Sequence, residues 1–197
     1  MFSISKSWVF CAIFALSVLA ALPSAHALEI SGVKHDETLE VAGEKLQLNG
    51  AGIRYKAVFK VYTMGLYASK KVSSPEELWA LPGNKRFTLT MLREIDAGEL
   101  GRLFTRGIED NNSRADNTRS LSDILRMSQL FSEYKSLKPG DTLVVDLVKG
   151  TGVQIYIKGK PAGEAFKDPA FFKLVMNIWL GKSPADWKLK EAILGIK

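Results

Sequence analysis

The chain has 197 residues, 46% of them hydrophobic and 24% charged, and its mean hydropathy is zero. That is enough chain for one ordinary domain, and the composition excludes a disordered, collagen-like or multi-span membrane protein. A net charge of +6 favours anionic partners without implying nucleic acid, while one Cys and two His nearly exclude disulfide frameworks and Cys/His metal clusters.

Residues 1–27 have the form of a secretory signal. Lys6 supplies the positive start, Trp8 to Leu22 is an apolar run, Pro23 and Ser24 break it, and Ala25-His26-Ala27 is an A-x-A cleavage site. The apolar run is short of the roughly twenty residues a membrane span needs. Cys11 lies inside that run, so a lipid anchor at its end is not expected. Cleavage would leave residues 28–197 as a single domain, with no cysteine, His35 as the sole histidine and a charge of +5. A cysteine-free exported chain suits an oxidising compartment, so a periplasmic or secreted location is expected.

Thr38–Val41 and Lys45–Leu48 alternate around Ala42-Gly43-Glu44 and predict a hairpin. Asn49-Gly50-Ala51-Gly52 looks like a flexible break. Ile53 to Ala68 predicts one long central strand, apolar on both faces towards its end. Gly65 within it points to a bulge or a close approach. His35, beside Asp36 and Glu37, is expected in a solvated loop.

Ser74-Pro75 starts a short helix that stops at Pro82-Gly83, and Phe87, Leu89 and Met91 alternate as a strand. Asp96-x-x-Glu99 is a capping box for a helix with Leu100, Leu103, Phe104, Gly107 and Ile108 on one stripe. Glu109 to Arg119 is loop-like, and Ser120-x-x-Asp123 opens another helix. Thr142–Lys149, Gly152–Lys158 and Ala162–Ala165 predict a three-strand meander. Asp168-Pro169 opens a helix ending at Gly181, and Ser183-Pro184 caps the last one. This order argues for an α+β domain with a mainly antiparallel sheet and helices on one side.

No H-E-x-x-H, C-x-x-C, Walker loop or G-x-G-x-x-G is present, so neither metal nor cofactor is expected. Basic residues are scattered without a nucleic-acid motif. Their excess is read instead as solubility and weak affinity for anionic lipid surfaces. The informative residue is Arg54, at the mouth of the most apolar strand, which also carries Tyr62. Such an arginine reaches solvent, pairs with a carboxylate, or holds an anion.

Leu48-Asn49-Gly50-Ala51-Gly52-Ile53-Arg54 followed by Phe59-Lys60-Val61-Tyr62-Thr63-Met64-Gly65-Leu66-Tyr67 resembles the chalcone isomerase-like superfamily, in its exported bacterial branch. Leu92-Arg93-Glu94 and Ile178-Trp179-Leu180-Gly181 strengthen the likeness. The resemblance implies an open-faced β-sandwich, a large antiparallel sheet under a layer of helices with a ligand cleft between them. It covers plant enzymes that close a chalcone to a flavanone, and non-catalytic members that bind fatty acids. The enzymes' arginine falls on Arg54, and the threonine of the next strand on Tyr62. Their helix tyrosine falls on Leu100, its asparagine partner near Gly107 and the late threonine near Ile178. The catalytic set is therefore incomplete.

The resemblance thus implies a non-catalytic protein binding a fatty acid or similar amphipathic acid. Arg54 and Tyr62 would hold its carboxylate, and Met64, Leu100, Phe104 and Ile178 would form apolar walls. Two alternatives stay open. One is an intramolecular lyase using Arg54 and Tyr62 on a phenolic or enone substrate. The other is a partner-binding domain with a collapsed cleft. Oligomeric state is not legible.

Overall fold

The computed structural model describes residues 27–196. The chain opens with a hairpin of β1 (Ala27–Ile30) and β2 (Val33–Asp36), followed by β3 (Thr38–Val41), β4 (Glu44–Lys56) and β5 (Phe59–Ala68). Next come α1 (Pro75–Ala80), β6 (Lys85–Met91), the short β7 (Ile95–Asp96) and α2 (Ala97–Asn111). After them lie α3 (Arg114–Arg119), α4 (Leu121–Ser132) and β8 (Ser136–Leu137). The meander β9 (Thr142–Val148), β10 (Gly152–Ile157) and β11 (Lys160–Pro161) precedes α5 (Ala170–Leu180) and α6 (Trp187–Ile193).

Seven strands form one antiparallel sheet in the order β11-β10-β9-β6-β5-β4-β3. Alternation sets its two faces. On β6, Phe87, Leu89 and Met91 are buried while Arg86, Thr88 and Thr90 face the other way. The apolar face meets α2, α4, α5 and α6 in the main core, centred on Trp179, whose indole lies 5.1 Å from the Phe87 ring and 5.4 Å from Phe104. The opposite face holds a small cluster of Val41, Leu46, Leu48 and Tyr67, and the paired Arg86 and Asp146. This is the open-faced α+β architecture that the resemblance implies.

Several local expectations are corrected. Ile53 to Ala68 is not one strand: it turns at Ala57-Val58, so Arg54 on β4 comes to sit opposite Tyr62 on β5. Asn49 to Gly52 is no flexible break but the middle of β4. Its glycines remove the side chains that would collide with α6, since a Cβ on Gly50 would strike the Ala192 carbonyl oxygen. Glu109 to Arg119 is largely helical, divided between α2 and α3. Ser113 caps α3 by accepting from the Asp116 N–H. The last helix starts later than expected, with Asp186 as its N-cap rather than Ser183.

His35 is not solvated. It is buried on β2 with its ring against Gly65 of β5. Gly65 therefore marks a close approach, and the partner is the N-terminal hairpin. The expected signal at 1–26 lies outside the described residues.

Candidate functional site

A cavity of about 220 Å³ opens between the Arg54 end of β4 and β5 and the helices α2 and α5. The β4–β5 turn places Arg54 and Tyr62 side by side on its floor. The apolar stripe of α2 supplies Leu100, Phe104 and Gly107, and α5 supplies Ile178. Gly107 matters because a Cβ there would meet Ile178 at 3.0 Å, so the small residue lets that wall close up. The mouth is polar, with Lys56, Glu99, Arg106 and Asp110 around it.

Of the six residues expected at the site, the structure brings five together: Arg54, Tyr62, Leu100, Phe104 and Ile178. Met64 is a correction. It lies two residues beyond Tyr62 on the same face of β5, fully buried in the main core and outside the cavity lining. Its Cα partner on β4 is Gly52, and α6 lies over that position.

Two residues that the sequence reading passed over organise the polar end. Trp179 Nε1 donates to Tyr62 Oη at 2.9 Å, inside the core. The phenolic oxygen is thus an acceptor for the indole, and its own proton is left for another partner. Burial pushes the Tyr62 pKa up to about 12, against the opposing effects of the Trp179 hydrogen bond and the Arg54 charge. Near neutral pH Tyr62 is therefore a neutral donor, not a phenolate.

Asp186 is the second. Its Oδ1 accepts from Leu189 N–H as the cap of α6, and its Oδ2 accepts from Tyr55 N–H at 3.0 Å. The same Oδ2 lies 3.6 Å from Arg54 Nη1. That is longer than the roughly 2.7–2.9 Å of a charge-assisted hydrogen bond. The pair is monodentate and long, and Arg54 keeps 24% of its side-chain surface exposed. Its planar fork remains available to a second carboxylate. An Asp three residues before the start of the Leu189-Ile193 apolar pattern was the signal that could have exposed this cap.

Asn111 also lies at the cavity, but its amide is committed. It donates to Gly107 O and Ser183 O and accepts from Ser183 N–H, clamping the end of α2 to the α5–α6 connection. Among the described residues no group of His, Cys, Asp or Glu is placed to hold a metal ion.

A family model described as chalcone isomerase-like matches residues 27–195. The chain belongs to the chalcone isomerase-like family. Among solved structures it is similar to a fatty-acid binding protein of Arabidopsis thaliana. The TM-score is 0.67 at 15% identity, covering 86% of this chain and 96% of that one, a likeness of fold. No curated protein matches the chain in sequence. Within this family fold, the resemblance carries the enzymes' tyrosine onto Leu100, their asparagine near Gly107 and their late threonine near Ile178. All three line the cavity. That wall offers hydrocarbon where ring closure would need hydrogen bonds from several sides.

Proposed function

We propose that this chalcone isomerase-like protein is a non-catalytic binder of a small amphipathic carboxylic acid, of the fatty-acid type, acting in the periplasm. The observation that carries the proposal is the pairing of a partly exposed guanidinium and a neutral buried phenol on the floor of an otherwise apolar cavity. Arg54 supplies charge and a bidentate fork, and Tyr62 supplies one O–H donor. Leu100, Phe104 and Ile178 shed water around a hydrocarbon tail. That the Arabidopsis protein of similar fold is a fatty-acid binding protein supports the ligand class. The A-x-A site and a family match that begins at residue 27 support export.

Size narrows the ligand. The cavity, about 220 Å³, is below the roughly 300–1,000 Å³ common for drug-sized ligands. A short or medium acyl chain is held whole, and a longer one runs out through the mouth past Leu103. Titration calorimetry on residues 28–197 with decanoate tests this reading. A hydrogen bond to a charged group is worth roughly 1.5–3 kcal/mol. Arg54→Ala should then weaken binding by about ten- to a hundredfold, and Arg54→Lys should also weaken it by losing the planar fork. Tyr62→Phe weakens it less. Asp186→Asn removes a competing negative charge but keeps only one of the two acceptor oxygens, so a variant that stays folded should tighten binding. Equal affinity in wild type and a folded Arg54→Ala variant would make Arg54 only the partner of Asp186 and end the proposal.

A further inference from the structure

The turn between β4 and β5 carries apolar side chains into solvent. Val58 is 82% exposed and Phe59 58%. Trp187, 59% exposed, follows Asp186, which accepts from Tyr55 N–H at the base of the same turn. Tyr55 and Leu103 are exposed as well, and Leu103 is at the cavity mouth. Water-exposed side chains of this size gathered at one tip need a reason.

Cations surround the apolar tip. Lys56 and Lys60 flank the turn. The Arg93 guanidinium lies 5.2 Å over the Phe59 ring. Of the acidic groups nearby, Glu99 is answered by Lys56 at 3.7 Å and Asp186 is taken up by α6, Tyr55 and Arg54. The surface is apolar and aromatic at its centre and basic around it. An anionic bilayer complements both parts, with hydrocarbon for the exposed apolar side chains and phosphate for the basic ones. The aromatic rings suit the headgroup boundary, and long basic side chains reach back to phosphates while their stems lie along apolar surface.

We propose that the β4–β5 tip docks on an anionic phospholipid bilayer, Val58 and Phe59 entering the acyl boundary and Lys56, Lys60 and Arg93 lying among the headgroups. Lys56, Glu99 and Leu103 join the tip to the cavity mouth, so docking turns that mouth towards the membrane. The surface stands whether or not the cavity binds a fatty acid, and the two readings are tested apart.

The test is flotation of residues 28–197 with vesicles of phosphatidylcholine, with and without phosphatidylglycerol, and no added fatty acid. Binding is expected only with phosphatidylglycerol and should fall as salt rises. Val58→Asp and Phe59→Asp should each weaken it about tenfold or more, as expected for losing one buried apolar side chain. Lys60→Glu should weaken it by about fivefold or more, since each basic side chain near an anionic surface contributes about that factor. None of these residues lines the cavity, so decanoate binding measured without vesicles should be unchanged. Wild-type protein that ignores phosphatidylglycerol vesicles overturns the proposal. So do Val58→Asp and Phe59→Asp variants that float as wild type does, and so does a concentration-dependent dimer in light scattering that Phe59→Asp abolishes.

Discussion

His35 is 3% exposed, and its Nε2 has no hydrogen-bond partner. Thr63 Oγ1, on the same face of β5 two residues before the Gly65 contact, is also buried without a partner. Burial lowers the imidazole pKa, and the nearby Asp36 carboxylate opposes that only in part. The folded chain therefore binds this proton less readily than the unfolded chain, where the pKa is about 6.5. By linkage, the stabilisation is complete above about pH 6.5. It is lost progressively as pH falls below that value towards the depressed folded one, and then levels off. Thermal unfolding of residues 28–197 should show a melting temperature flat from pH 8 to about 7 and falling towards pH 5. His35→Gln should flatten that descent, because the carboxylates with resolved shifts, Glu77 and Asp141, are held below the ordinary carboxylate range and titrate further down. An unchanged slope in His35→Gln would assign the effect elsewhere. The sequence hid this histidine among Lys34, Asp36 and Glu37. What places it inside is the period of a four-residue strand with Gly65 opposite, and that pairing is tertiary. Arg54 was readable for the opposite reason, because a charge at the mouth of an apolar strand needs an explanation wherever the neighbours lie.

At the level of elements, α6 is seated on a glycine track. Gly50 and Gly52 of β4 face Ala192, Ile193 and Leu189, and a Cβ on Gly52 would come within 2.7 Å of Ala192 Cβ. Asn49 locks the far end by donating to Ile193 O at 2.7 Å and to Val72 O. The near end carries Asp186 and with it Tyr55 and Arg54. Gly50→Ala should therefore lift α6, because the added methyl meets a carbonyl oxygen rather than the end of a flexible side chain. Forced overpacking of this kind costs typically about 1–3 kcal/mol. Denaturant unfolding should record that loss, and decanoate affinity should fall with it as Arg54 loses its place. Wild-type stability in Gly50→Ala would mean that α6 is loosely held. Read along the sequence, Asn49 to Gly52 looks like punctuation, since glycine disfavours both helix and strand. Only the helix 140 residues later gives those glycines their purpose. The capping box at Asp96, the stripe of α2 and the alternation of β6 were legible because each is a local pattern. The Tyr62–Trp179 hydrogen bond and the Asp186 contacts join segments more than 100 residues apart, and no spacing announces them.

For the molecule as a whole, the antiparallel character and the helical layer followed from element order, but the strand order did not. β6 lies beside β9 although three helices separate them in sequence, and no residue pattern selects that neighbour. The family-bearing stretch, Leu48 to Tyr67, implied a large antiparallel sheet but not the order of its strands. The other whole-chain expectation is export. The A-x-A site would place cleavage between Ala27 and Leu28. In the folded chain Leu28 pairs with His35 in the N-terminal hairpin, and only the outermost pair, Ala27 with Asp36, would be lost by cutting there. Cleavage and folding are thus compatible, since the hairpin that covers Gly65 keeps its remaining pairs. Cys11 would leave with the leader, so the mature chain would contain no thiol and its unfolding would not respond to reductant. Intact-mass measurement on the periplasmic fraction of an expressing bacterium should find a chain starting at Leu28, with reductant leaving its melting temperature unchanged. A full-length species held in the membrane fraction would show that Trp8 to Leu22 is an anchor, and would place the lipid-facing tip on a tethered protein rather than one free to reach the bilayer on its own.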